Sequence, residues 1–335
     1  MACAIKQGRG KPRGYIIVVS LLCFYHAVLS LCTLAFKLNH LFSGPYSNIT
    51  SPHYIETNQD TSMVCITKTQ ETSLDDVVHT QITYTIDAPG EFLDGGATGL
   101  VTQISPDKVV KTPWNNAETE LCQYEMEIEP KVYETNGPHE YSIPYFGFDP
   151  STKQITIAYM PNGTPRNYLQ QHSDTGRISD PQRQKRTLQV AEALSVLHAN
   201  KILHCDFSPR NVLLDEHLDA KFADFGCASI NGSLSEAGGS MRYSRPGRCN
   251  PPGIVDTVFA LGCIIYEIGT GKAPYADVET DRIQRLYSLQ QMPDLHLVPL
   301  QYIIRGCWLG TIHTTDEAVA MIRKAQSEAR LYVAD

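Results

Sequence analysis

The stretch "ILHCDFSPRNVLLDEHLDAKFADFG", Ile202 to Gly226, constrains this chain more than any other. Its two short runs, "NVLLD" and "AKFADF", have the composition of a small β-hairpin. Around that hairpin stand His204, Asp206, Asn211 and Asp224. The two carboxylates and the amide offer oxygen atoms that suit a hard cation or a migrating proton. A chain that sets them on either side of one hairpin points to a reaction centre.

The segments on each side of this centre have different periods. From Phe92 to Met160 the signal is short β-type runs, "GLVTQI", "KVVKT" and "QITIAYM", around one helical stretch near Glu118 to Thr135. Pro130 falls inside that stretch and is expected to kink or shorten it. After "PNGTP" the pattern turns helical. Leu188, Ala191, Leu194 and Leu197 recur at helical spacing. "IVDTVFALGCIIYEIGTG" is apolar nearly all round, as a central buried helix would be, with Gly269 and Gly271 expected to stop it. Thr314 and Glu317 have capping-box spacing ahead of a final helix. A small β-rich part followed by a larger helical part leaves a cleft between them.

On these residues the chain resembles the protein kinase superfamily. "HCDFSPRN", His204 to Asn211, is similar to the catalytic loop H-R-D-x-x-x-x-N, and "DFG", Asp224 to Gly226, to the metal-binding triplet downstream of it. "VVK", Val109 to Lys111, resembles the strand that ends in the phosphate-binding lysine, with Glu129 at the place of its helix partner. "DTVFALG" and "GCW" resemble the family's buried helix and late Cys-Trp pair. The likeness runs from about residue 90 to 325 and implies an α+β, two-lobed fold. Its N-lobe would occupy residues 86–160 and its C-lobe residues 161–335.

The resemblance also implies roles. Asp206 would orient the substrate hydroxyl, Arg210 would reach the transferring phosphate, and Asn211 and Asp224 would hold Mg²⁺. ATP would lie against Gly95, Gly96, Gly99, Val101 and Lys111, with its adenine on the backbones of Ala158 and Met160. The Asp of "DTVFALG", Asp256, would brace the catalytic loop. A protein substrate is implied.

Departures from the pattern leave a second reading open. Cys205 stands where the family has arginine, so dependence on a phosphorylated activation loop is not expected. Ser208 replaces the lysine of Ser/Thr kinases, while Arg210 matches a tyrosine-kinase position. Asp94 occupies the first glycine position of the phosphate loop, and "RYSRPG" lacks the usual Pro-Glu. An active ATP-dependent protein kinase, transferring to Ser/Thr with Tyr as the minor option, is the leading reading. A nucleotide-binding or scaffolding pseudokinase is the alternative. A kinase-fold small-molecule phosphotransferase fits the helical half less well.

Bulk properties exclude other classes. A net charge of -8 argues against non-specific nucleic-acid binding. The 10 cysteines are scattered without a C-x-x-C pair, which favours buried free thiols in a reducing compartment over a zinc site. Residues 1–40 hold a basic N-terminus and the uncharged run Tyr15 to Phe36, long enough to span a bilayer. A membrane anchor through residues 15–36, a signal peptide and a buried helix are the three readings of it. The flanking charges would keep the N-terminus in the cytosol and send the rest across, against the cytoplasmic setting expected of a kinase domain. Residues 41–85 read as a connector with one or two strands.

Overall fold

The computed structural model describes residues 54–57, 63–72, 78–95, 99–114, 119–171, 179–235, 239–248 and 252–333. Residues 15–36, and with them the expected membrane segment, lie outside the described residues, as does Gly96. Among the described residues no helix is long and apolar enough to cross a membrane.

The segment expected as a connector forms three antiparallel strands, β1 (Tyr54–Thr57), β2 (Met63–Thr72) and β3 (Val78–Asp87), in the order β1-β2-β3. β2 and β3 pair along their whole length, from Met63 opposite Asp87 to Thr72 opposite Val78. Their sequences, "MVCITKTQET" and "VHTQITYTID", are rich in the β-branched residues that suit a pleated surface. Three strands stand where one or two were expected.

A second sheet carries the site. β4 (Glu91–Gly95), β5 (Gly99–Ser105), β6 (Lys108–Pro113), β7 (Tyr145–Asp149) and β8 (Gln154–Ala158) run antiparallel in the order β4-β5-β6-β8-β7. β6 is buried along its centre, from Val109 to Thr112, so the ammonium of Lys111 is carried into the interior. Helix α1 (Thr119–Asn136) packs on β6, β7 and β8. It runs through Pro130 without being shortened. The missing N–H and the crowding at the carbonyl one turn back destabilise the helix by about 3 kcal/mol. Burial of Met126, Ile128, Val132 and Tyr133 on the packed face offsets this, at about 1.5–3 kcal/mol for each large side chain.

The helical half contains α2 (Pro165–Gln171), α3 (Asp180–Ala199), α4 (Ile254–Thr270), α5 (Thr280–Ser288), α6 (Gln301–Leu309) and α7 (Thr315–Val333). α3 starts at a capping box in which Ser179 and Gln182 bond each other's backbone N–H. α4 is the central buried helix. It passes Gly269 and ends at Gly271, whose φ of +74° gives the left-handed cap a side chain would resist. Gly262 sits where α6 crosses: a Cβ there would lie 2.7 Å from the Cβ of Cys307, so only glycine admits this approach. α7 is capped by Thr314 Oγ1, which accepts from Glu317 N–H at 3.2 Å, while Glu317 reaches back to His313 N–H and not to the cap residue itself.

Between the two halves lie the short elements of the opening stretch. β9 (Ile202–Leu203) pairs with β12 (Ser229–Ile230), and β10 (Val212–Leu214) with β11 (Ala220–Phe222), both antiparallel. The hairpin expected from "NVLLD" and "AKFADF" is thus present, with Val212 opposite Phe222.

Candidate active site

β6 and α1 bring two charges together out of water. Lys111 Nζ donates to Glu129 Oε2 at 2.8 Å and to Asp224 Oδ1 at 2.6 Å. The Glu129 side chain is 1% exposed and that of Lys111 10%, whereas Asp224 is half exposed. Burial alone would lower the lysine pKa, but the carboxylates of Asp224 and Glu129 outweigh it and hold the ammonium above its ordinary range. Lys111 in turn depresses the carboxyl of Asp224. Of the three neighbouring acids on α1, only Glu129 takes this role: Glu127 binds Lys153 at 2.7 Å, and Glu125 packs against Gly226.

The hairpin ends hold the second cluster. Asn211 Nδ2 donates to Asp206 O at 2.8 Å and to Asp206 Oδ2 at 3.4 Å, which leaves the Asn211 amide oxygen for another ligand. Ala223 N–H donates to Asn211 O, and His204 Nε2 bonds Ala223 O at 3.1 Å, so the strand leading to Asp224 is tied to the loop bearing Asp206. Burial raises the Asp206 carboxyl above its usual value. Arg210 is exposed, and its charge lowers both Asp206 and Asp224. Cys205 and Asp224 both have positive φ, +63° and +59°. Such backbone strain, of order 1 kcal/mol each, gathers where geometry serves a site.

Aromatic rings connect the two clusters. Tyr145 of β7 stacks on Tyr133 of α1 at 5.0 Å, Tyr133 meets Phe225 edge-on at 5.2 Å, and Phe225 lies 5.1 Å from the His204 ring. This column joins sheet, helix and catalytic loop. Its members are far apart in sequence: His204 and Phe225 fall within the motifs, while no local pattern marks Tyr133 and Tyr145.

The nucleotide-binding expectations meet the structure unevenly. Gly99 is required: a Cβ there would lie 2.1 Å from Thr112 O. Val101 lies opposite Lys111 across β5 and β6. Gly95 donates its N–H to Asp94 Oδ1 at 2.8 Å, so this amide is turned to its neighbour. Ala158 N–H is taken by Pro144 O at 2.9 Å. The Met160 N–H has no backbone partner among the described residues.

The expected brace from Asp256 is replaced. Its Oδ1 accepts from Arg245 Nε at 2.7 Å and its Oδ2 from Gly253 N–H at 2.8 Å. Arg248 donates instead to the catalytic loop, at Cys205 O. Two arginines that follow "RYS" supply the counter-charge and the donor, and no motif reading singled them out. Asn211 and Asp224 present an amide oxygen and a carboxylate, a hard donor pair that suits Mg²⁺ completed by phosphate and water. No group of three or more His, Cys, Asp or Glu able to cage a metal occurs among the described residues.

A family model described as "Protein kinase domain" matches residues 107–325. Among curated proteins, the chain is 29% identical to human mitogen-activated protein kinase kinase kinase 3 over 53% of this chain and 28% of that protein. It is 31% identical to Arabidopsis thaliana mitogen-activated protein kinase kinase kinase 17 over 40% of this chain and 37% of that protein. It is 26% identical to a probable serine/threonine-protein kinase of Dictyostelium discoideum over 45% of this chain and 17% of that protein. The chain therefore spans well under half the length of these relatives.

Proposed function

The chain belongs to the protein kinase family, and on that premise we propose that it transfers the γ-phosphate of ATP to a Ser or Thr hydroxyl of a protein substrate. The Ser/Thr preference is supported by relatives whose names describe mitogen-activated and serine/threonine-protein kinases. The observation that carries the reading is the bonded set Glu129, Lys111 and Asp224 beside the bonded pair Asp206 and Asn211.

In this reading Asp206 accepts the proton of the substrate hydroxyl, and its raised pKa suits a base that must hold that proton. Lys111, fixed by Glu129, faces the phosphate oxygens, and Arg210 adds positive charge at the same place. Asn211 and Asp224 are the residues that would hold Mg²⁺, which neutralises charge on the phosphate oxygens. The open N–H of Met160 suits an acceptor on the adenine edge. Free thiols at Cys205, Cys227, Cys263 and Cys307 support a cytoplasmic setting.

One observation favours the pseudokinase alternative. Asp94 places a carboxylate beside the phosphate loop and ties up the Gly95 amide. Incubating the full chain with Mg²⁺ and γ-labelled ATP, alone and with a mixed peptide library, decides between them. Label on Ser or Thr that disappears in Asp206→Asn is expected. Nucleotide binding without transfer in the folded wild type would leave the pseudokinase.

A further inference from the structure

Helix α3 buries a cation that has no hydrogen-bond partner among the described residues. Arg186 is 2% exposed, and none of its three guanidinium nitrogens meets an acceptor there. The ring of Tyr168 on α2 lies 5.8 Å from its Cζ, near the outer limit of a cation–π attraction of about 0.5–2 kcal/mol. Stripping water from a guanidinium costs several kcal/mol, so the ring does not offset it. Burial pulls the Arg186 pKa down and Arg183 reinforces this, with Tyr168 and Asp219 opposing only in part.

The same side chain lines a cleft holding about 630 Å³ of empty space, part of it open to solvent. Its walls are mainly apolar, with Val190, Val212, Ile264 and Ile268 among them. The other charges there are engaged: Arg183 with the carbonyl oxygens of Ile268 and Gly269, and Arg166 with Glu267 at 2.5 Å. Three arginines and one glutamate leave the cleft with an excess of positive charge, and Arg186 is where that excess is unmet.

We propose that this cleft is a binding site for a small aliphatic carboxylate, whose head group pairs with Arg186 and whose chain lies along the apolar wall. A carboxylate matches the planar guanidinium fork with two parallel hydrogen bonds. A bare phosphate fits less well, because its remaining oxygens would face hydrocarbon. Pro209 and Val212, which also line the cleft, bracket Arg210 and Asn211, so an occupant touches the segment that carries the catalytic loop. The site stands independently of whether the chain transfers phosphate.

The test is calorimetric titration of the full chain with octanoate and, in parallel, with the neutral octanamide, on wild type and Arg186→Leu. Saturable octanoate binding at least tenfold tighter than octanamide binding is expected, with the difference abolished in the variant. Because leucine removes an unpaired buried charge, Arg186→Leu is expected to melt at or above the wild-type temperature, which keeps loss of binding distinct from loss of fold. Equal affinity for the two ligands, or no saturable octanoate binding, overturns the proposal. So does an Arg186→Leu chain that melts well below wild type, since its guanidinium would then be held by groups of the fold itself.

Discussion

At the residue scale, Glu129 and Lys111 depend on each other unequally. Removing Lys111 leaves Glu129 an uncompensated buried charge, a loss of about 3–5 kcal/mol where the site is dry, whereas removing Glu129 leaves Lys111 held by Asp224 alone and no longer fixed from α1. Glu129→Gln is therefore expected to reduce the rate of phosphate transfer by roughly 100-fold, and Lys111→Met to abolish it, with the aromatic column keeping the fold. Initial rates near wild type in Glu129→Gln would remove the pair from the mechanism. Glu125, one turn earlier, has the opposite character. Its carboxyl is buried and raised to about 7, by burial first, with Lys111 opposing and Asp224, Asp206 and Glu129 reinforcing. Its folded pKa lies above the unfolded value, so its contribution is full below about pH 4.5 and falls as pH rises toward 7, by roughly 3 kcal/mol. Glu125→Gln should flatten that fall, as urea midpoints across the interval would show; an unchanged slope would mean that Glu125 is ionised throughout. Lys111, Asp206, Asn211 and Asp224 were legible in the sequence because each sits in a short pattern of fixed chemistry, and Glu129 only by its spacing relative to them. Glu125 was not, since its neighbours Gly226 and Asp224 arrive from about a hundred positions away.

At the element scale, one histidine links three helices. His198, near the end of α3, bonds Thr257 of α4 through Nε2 at 2.9 Å and Thr315 of α7 through Nδ1 at 3.2 Å. Burial lowers its pKa to about 4, with Asp316 opposing weakly. The folded value lies below the unfolded one, so the stability it contributes is present above about pH 6.5 and is lost as pH falls toward 4, up to about 3 kcal/mol. This slope runs against that of Glu125 over overlapping pH, and the two variants separate them. His198→Leu is expected to remove the acid-side loss while lowering stability at pH 7 by about 1–2 kcal/mol through the lost hydrogen bonds. A chain that still loses stability equally toward pH 4 would place the titrating group elsewhere. The helices were legible from their period and caps, because one long apolar stripe decides them. Two expectations fell short for different physical reasons. Pro130 marks a local conflict that packing of α1 overrides, and β2 and β3 declare themselves only when paired, since alternation over ten residues among Thr and Gln carries little apolar contrast.

At the scale of the whole molecule, the segment after Asp224 is fastened by side chains of its own and of its neighbours. In an enzyme controlled by loop phosphorylation, an arginine beside the catalytic Asp receives the added charge. Here that position is Cys205, a buried thiol that donates to Leu203 O at 3.2 Å and offers no cation. The segment is held by other means. Ser240 N–H approaches Asp206 Oδ1 at 3.4 Å, Tyr243 bonds the buried Glu267, Arg245 pairs with Asp256 at 2.7 Å and Arg248 donates to Cys205 O at 2.8 Å. These contacts join the catalytic loop, the segment and α4 into one frame. Treating the full chain with a broad phosphatase before the assay should therefore change its transfer rate by less than about twofold, whereas Arg248→Ala should lower it by roughly tenfold, the effect of about 1.4 kcal/mol at the transition state. The contrast separates two designs for the same fold. If phosphatase silences the chain while Arg248→Ala leaves it active, the segment is set by a phosphate after all and the arginine contact is incidental. If the expected pattern holds, the loss of the usual arginine before Asp206 is compensated from the far end of the segment, and activity is governed by substrate access and not by a phosphorylation switch.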